Sequence, residues 1–185
     1  GDLDVSILDE RPPGRQPITT ALRPEKARER VLDFVVRQID AGRQAYIVYP
    51  LIEESEKSAL KAAKTAFEEL TVGALKGRRV ALLHGRLSAD EKDETMRRFR
   101  DGALDALVST TVIEVGIDVP NATVMLIEHP ERFGLSQLHQ LRGRVGRGAE
   151  ESYCILLGDV SPAAAHRQER LVEQWVRRQT DHRLT

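Results

Sequence analysis

The 185-residue chain has one cysteine, Cys154, so an intramolecular disulfide and a cysteine-based metal framework are both excluded. Set in the apolar run SYCILL, that cysteine reads as a small buried hydrophobe, not a reactive thiol. Aromatic residues make up only 4% of the chain, and none interleaves with the basic positions, which argues against binding through base stacking. No apolar run approaches the ~18 residues of a membrane span, and no signal-like start is present. Neither charge is in surplus: 28 Lys+Arg stand against 29 Asp+Glu, a net charge of −1. A uniformly basic surface is thereby excluded, and any polyanion site has to be local. The dipeptide Gly-Lys never occurs, so the phosphate loop G-x-x-x-x-G-K-[ST] is missing. No His/Cys/Asp cluster has metal-ligand spacing.

What is present suits one large domain, or one domain with an appendage: 41% hydrophobic and 31% charged residues, enough to bury a substantial core. The start at Gly1 and the polar, helix-like text up to Thr185 suggest a piece of a longer protein. Strands are expected at 5–8, 18–22, 45–49, 80–84, 105–109, 123–128 and 153–157. From residue 45 onward most are apolar at consecutive positions, as in a parallel sheet covered on both faces.

Helices fill the intervals. Pro24 opens the first, with Ala27, Val31, Phe34, Val35 and Ile39 on one stripe and Gly42 as its stop. The second spans about 57–70. The third starts at SADE, where Ser88 and Glu91 have capping-box spacing, and ends near Gly102. The fourth covers about 135–142, and the fifth runs from Ser161-Pro162 toward Arg178. This alternation predicts a three-layer α/β sandwich with right-handed crossovers. The motor-like body is expected over 1–158 and a helical segment over 159–185.

In open parallel sheets function gathers at the carboxyl ends of strands. Four stretches are expected there: YPLIEESEK (49–57), HGRLS (84–88), STTVIEVGID (109–118) and QLHQLRGRVGRG (137–148). The last places Arg142, Arg144 and Arg147 among Gly143, Gly146 and Gly148, with no acid from 134 to 149. Guanidinium groups are always charged and match phosphate oxygens bidentately, and glycines let backbone approach a ligand. The turn therefore reads as a phosphate contact, against the plainer reading of a solvated surface turn. Asp9 and Glu10, at the end of VSILDE, read as a solvated strand end, not a metal site. The acidic runs 53–56 and 89–94 read as solvated helix faces.

The text TTVIEVGID-P-NATVMLIE followed by FGLSQLHQLRGRVGRG resembles motifs V and VI of superfamily 2 helicases. Gln140, Gly143, Arg144 and Arg147 match that family's Q-x-x-G-R-x-x-R. GDLDVSILDERPPGR, YPLIEESEK…LKAA and ERFGLSQLHQLRGRVGRG are similar to the second motor domain of its bacterial fork-remodelling DNA helicases. Transcription-repair motors share the last motif but differ more between motifs. The resemblance covers residues 1 to about 158.

It implies a RecA-like domain, one of two that hold ATP in their cleft, with the P-loop and the Mg²⁺ carboxylate on the first. Arg144 and Arg147 would act as arginine fingers and Gln140 would orient the same phosphates. Gly116, Asp118 and Gly143 would flank the nucleotide, although Asp118 also suits a turn cap before Pro120. Thr110, Thr111, Gly85 and Arg86 would touch the DNA backbone, with plain β-propensity the other reading for the threonines. His84 reads as a strand-end histidine. The implied partners are branched or duplex DNA and the first motor domain, in the bacterial cytoplasm and with no membrane; a monomer is the expectation. In such helicases the tail begins a helical hairpin, so Trp175 is expected to be exposed here for want of its partner, with red-shifted emission.

Overall fold

The computed structural model describes residues 17–51, 56–110, 118–159 and 167–184. With strands numbered along the chain, one six-stranded sheet has the order β1 (Ile18–Arg23), β6 (Ser152–Leu157), β5 (Ala122–Glu128), β2 (Gln44–Val48), β4 (Ala106–Ser109), β3 (Val80–Leu83). Every pairing in it is parallel. These strands reproduce the expected runs from residue 18 onward to within a residue or so; the run 5–8, with Asp9 and Glu10, lies outside the described residues.

Helices cover both faces. α1 (Arg28–Asp40) and α2 (Glu56–Val72) lie on one; α3 (Ala89–Arg100), α4 (Leu135–Arg142) and α5 (Arg167–Leu184) lie on the other. Each central strand feeds both layers. Ala45 and Ile47 of β2 join one apolar cluster while Tyr46 and Val48 join the other, and β5 and β6 divide in the same way. That division is why consecutive positions are apolar: a strand with two buried faces has no solvent side to make polar.

Local signals set the helix ends. A 3-10 turn (Glu25–Ala27) sits between Pro24 and α1. Ala27, Val31, Val35 and Ile39 are buried, and half-buried Phe34 meets Tyr153 edge to face at 4.9 Å. Gly42 follows α1 at φ 95°, where an L side chain is strained. At α3 the capping box forms as expected: Glu91 N–H donates to Ser88 Oγ at 3.1 Å and Ser88 N–H donates to Glu91 Oε1 at 3.0 Å.

The expectation for the tail is overturned. Trp175 is only 5% exposed and sits in the core with Val172 and Val176. The physical reason is the sheet edge: β1 and β6 present Ile18, Cys154 and Leu156 to a face that α4 does not fully cover, and α5 closes it. A buried indole gives blue-shifted, not red-shifted, emission. α5 continues to Leu184, past the expected Arg178, and its Ser161-Pro162 start lies outside the described residues.

Because all strands run one way, every loop after a strand lies at one end of the sheet. Every loop before a strand lies at the other.

Candidate functional site

α4 starts beyond the carboxyl end of β5, where Gly134 N–H donates to Gln137 Oε1 at 2.9 Å, and runs back along the sheet. Its last residue, Arg142, therefore arrives at the amino end. Gly146 N–H donates to Ser152 Oγ, in the first residue of β6, at 2.9 Å. Gly148 abuts Pro120, just before β5: a Cβ at 148 would lie 2.7 Å from the Pro120 carbonyl oxygen. Asn121 Nδ2 donates to the Gly42 carbonyl at 2.8 Å, tying in the loop before β2. The arginine turn is thus at the amino ends of the strands, not the carboxyl ends. A loop after a crossover helix is half a unit out of phase with a loop after a strand.

The three arginines differ. Arg142 is buried, and its Nε donates to Thr20 Oγ1 at 2.9 Å, a brace between α4 and β1. Arg144 is 8% exposed, and among the described residues no carboxylate lies within 4.0 Å of it. Its guanidinium is thus mostly enclosed by the fold yet held by no ion pair among the described residues. Arg147 Nε donates to the Gly143 carbonyl at 2.9 Å, and its Nη1 lies 3.4 Å from Asp118 Oδ1. With 38% and 58% of those side chains exposed, this long pair contributes about 0–1 kcal/mol and does not lock the guanidinium. Val145, fully buried, pins the turn to the core. Burial pushes the Tyr46 hydroxyl up to about 12, while Arg144 and Arg147 pull it down and Asp118 pushes it up. All three charges therefore act on one spot beside β2.

Asp118, Gly143, Arg144 and Arg147 are brought together here, while Gln140 is exposed on the last turn of α4. Thr111 and Gly116 lie outside the described residues. Of the turn glycines named from the sequence, Gly148 is where a side chain has no room, against the backbone of Pro120 and not a ligand; at Gly143 a Cβ would meet nothing closer than 3.4 Å.

Thr110, Gly85 and Arg86 lie at the carboxyl ends of β4 and β3. Thr110 is 5% exposed and its N–H donates to the Leu83 carbonyl at 3.2 Å, so only its hydroxyl remains as a donor. Gly85 and Arg86 are exposed. Arg86 N–H donates to His84 Nδ1 at 3.2 Å. Burial is the largest cause holding the His84 imidazole below the usual histidine range, helped by Lys64 and opposed by Glu91.

Sequence reasoning missed one charged pair at this end. Glu128 closes β5 with a fully buried side chain, and Arg28 grips it through Nη1 at 2.7 Å and Nη2 at 2.5 Å. Glu25 Oε1 accepts from Arg28 Nε at 2.6 Å. Burial, then the Glu128 charge, raises the Tyr49 hydroxyl well above its usual range. A glutamate ending an otherwise apolar strand, TVMLIE, was the available signal. Cys154, 0% exposed, has its thiol pushed up to about 12 by burial, which fits the inert reading. Grooves of about 390 Å³ along β1 and α1 and about 570 Å³ beside α2 are lined by neither Arg144, Arg147 nor Asp118. Among the described residues no group of three metal-ligating side chains could hold an ion, and no helix is long and apolar enough to cross a membrane.

An all-parallel sheet sandwiched between helices, with an arginine turn at one end, defines a RecA-like α/β domain. The model of the helicase conserved C-terminal domain matches residues 26–149, and the chain belongs to that family. It is 55% identical over 168 residues to the ATP-dependent DNA helicase RecG of Thermotoga maritima, covering 90% of this chain and 22% of that protein. The RecG of Escherichia coli K12 is 55% identical over 157 residues, 84% of this chain and 22% of that protein. A solved structure of RecG bound to a three-way DNA junction superposes with a TM-score of 0.74 at 48% identity, covering 90% of this chain and 21% of that one. The chain thus spans about a fifth of the length of these relatives.

Proposed function

We propose that this chain is the second motor domain of an ATP-dependent DNA helicase or translocase that acts on branched DNA, such as stalled forks and four-way junctions, in bacterial repair and recombination. The observation that carries this reading is Arg144: a buried guanidinium without a carboxylate partner among the described residues, beside a loosely held Arg147, on a turn free of acids. That donor set suits a polyphosphate. ATP, gripped with Mg²⁺ by a separate P-loop domain, supplies the phosphoryl group whose transfer needs charge stabilisation more than covalent chemistry.

Arg144 and Arg147 meet the β/γ-phosphates across the cleft, Gln140 orients that network, and Gly116, Asp118 and Gly143 flank the nucleotide. Hydrolysis then depends on closure, because the phosphate grip and the arginines sit on different bodies. At the opposite end Thr110, Gly85 and Arg86 hold the DNA backbone, a role proposed for Thr111 as well, which makes binding tolerant of sequence. Residues 1–158 form the motor body and 159–185 extend it. The protein works in the cytoplasm, at the nucleoid, as a monomer.

ATPase assays with duplex, forked and four-way DNA test this reading. The chain alone should be inactive, and joining it to an upstream P-loop domain should give DNA-stimulated turnover. A joined protein without such turnover would make the chain a binding module.

A further inference from the structure

We propose that His84 is a positioning residue that holds the Gly85–Arg86 turn in the shape that meets a DNA phosphate, and that it does so only as the neutral imidazole. This rests on the reading of Gly85 and Arg86 as backbone contacts given above.

The turn leaves β3 at Leu83 and enters α3 at Ala89. Three ties hold it. The His84 carbonyl accepts from Leu87 N–H at 3.3 Å, His84 Nδ1 accepts from Arg86 N–H at 3.2 Å, and the Ser88–Glu91 capping box fixes its exit. The first and third involve groups that do not change protonation near neutrality. The second needs a lone pair on Nδ1, so the ring proton must be on Nε2. A protonated ring would present N–H to N–H and lose that tie.

The surroundings keep the ring neutral. It is half-buried between α2 and α3, with Lys64 from the first, Lys92 and Glu91 from the second, and Arg86 in the turn itself. Burial and the three cations oppose a further positive charge, and Glu91 alone favours one. The tie is therefore complete at neutral pH and is lost as the pH falls through a value below the usual histidine range. A buried interior histidine would have no such effect on a ligand, because no exposed contact would depend on it.

The test uses the full-length helicase and a fluorescent forked DNA, with affinity read by anisotropy across a pH series from 7.5 down to about 4.5 in fixed salt. Arg86→Ala should weaken binding and lower the salt slope by about one. His84→Phe keeps the ring bulk without the acceptor and should bind about three- to tenfold more weakly than wild type at pH 7.5, converging with it at the lower pH as the wild type loses the same tie. His84→Asn should rescue, because its side-chain oxygen can accept from the N–H two residues on.

Acidification adds positive charge and strengthens DNA binding in general. The wild type should therefore lag behind His84→Asn at the lower pH, an effect of opposite sign. Parallel pH profiles for those two proteins overturn the proposal. So does wild-type affinity in His84→Phe when Arg86→Ala is weakened. Unchanged binding in Arg86→Ala instead removes the underlying DNA contact, and the role of His84 with it.

Discussion

The two ends of the sheet hold charge in different ways. At the amino end Arg144 is buried without a carboxylate among the described residues, and Arg147 has only a long, exposed pairing with Asp118. At the carboxyl end the buried charge is closed: Glu128 is gripped twice by Arg28, and Glu25 completes the set. An ion gripped by its partners is held rigidly, whereas one with a long pairing or none among the described residues is free to meet a ligand. Among the described residues the amino end is therefore the more open of the two, and the carboxyl end is a braced platform on which Arg86 is exposed. Substitutions at the two ends should fail differently, the first in turnover and the second in stability or affinity.

The sharpest separation is expected from Arg147→Ala in the full-length protein. An arginine finger is worth on the order of 10³–10⁵ in rate, far beyond the ~0–1 kcal/mol of the exposed pair with Asp118. DNA-stimulated ATP hydrolysis should fall by at least about a thousandfold while nucleotide binding persists. Near-normal turnover in a steady-state ATPase assay would reduce the amino end to a surface turn.

Glu128→Gln probes the opposite end. Breaking a buried pair costs about 3–5 kcal/mol because one ion is left alone. Arg28 keeps 33% of its side chain in water and can rehydrate, so the lower figure applies, about 3 kcal/mol. Urea unfolding should show a lower midpoint with unchanged slope. A loss below about 0.5 kcal/mol would make this a surface pair in energetic terms and dissolve the contrast between the ends.

How much of this was legible in the sequence varies by element. The strands were, because burial on both faces leaves runs such as TVMLI with no polar alternation. α4 was too, since Gly134 and Gly143 bracket an apolar-patterned stretch. The chemistry of the arginine turn was legible from its composition, but its end of the sheet was not. The rule that sites gather at carboxyl ends applies to loops following strands, and this turn follows a helix; counting chain reversals from β5 would have placed it. The Arg28–Glu128 pair joins residues 100 apart in sequence, a distance at which no periodicity speaks. Trp175 was expected in solvent because the edge it packs on exists only once β1 and β6 are paired.

Gly148→Ala couples the amino end to its scaffold. Its Cβ would fall 2.7 Å from the Pro120 carbonyl oxygen and 3.3 Å from the Pro120 carbonyl carbon and Cβ. Neither backbone can yield cheaply, so overpacking should cost about 1–3 kcal/mol. The shift should also move Arg147, lowering kcat more than the KM for ATP. Lost stability with intact kcat would show that the contact with Pro120 does not set the arginine.

The smallest effect is expected at Ser88. Its hydroxyl satisfies one helix-end N–H and its own N–H is satisfied in return by Glu91, so Ser88→Ala removes one of two reciprocal bonds. Loss of such a cap costs about 1 kcal/mol, which chemical denaturation resolves. The exit of the His84–Leu87 turn should then loosen, because the remaining Glu91 bond constrains only one side. DNA affinity should drop about two- to threefold through the misplaced Arg86, a fraction of one hydrogen bond, with ATP turnover at saturating DNA unchanged. Were turnover to fall instead, the two ends of the sheet would be coupled through α3, and treating them as separate sites would be wrong.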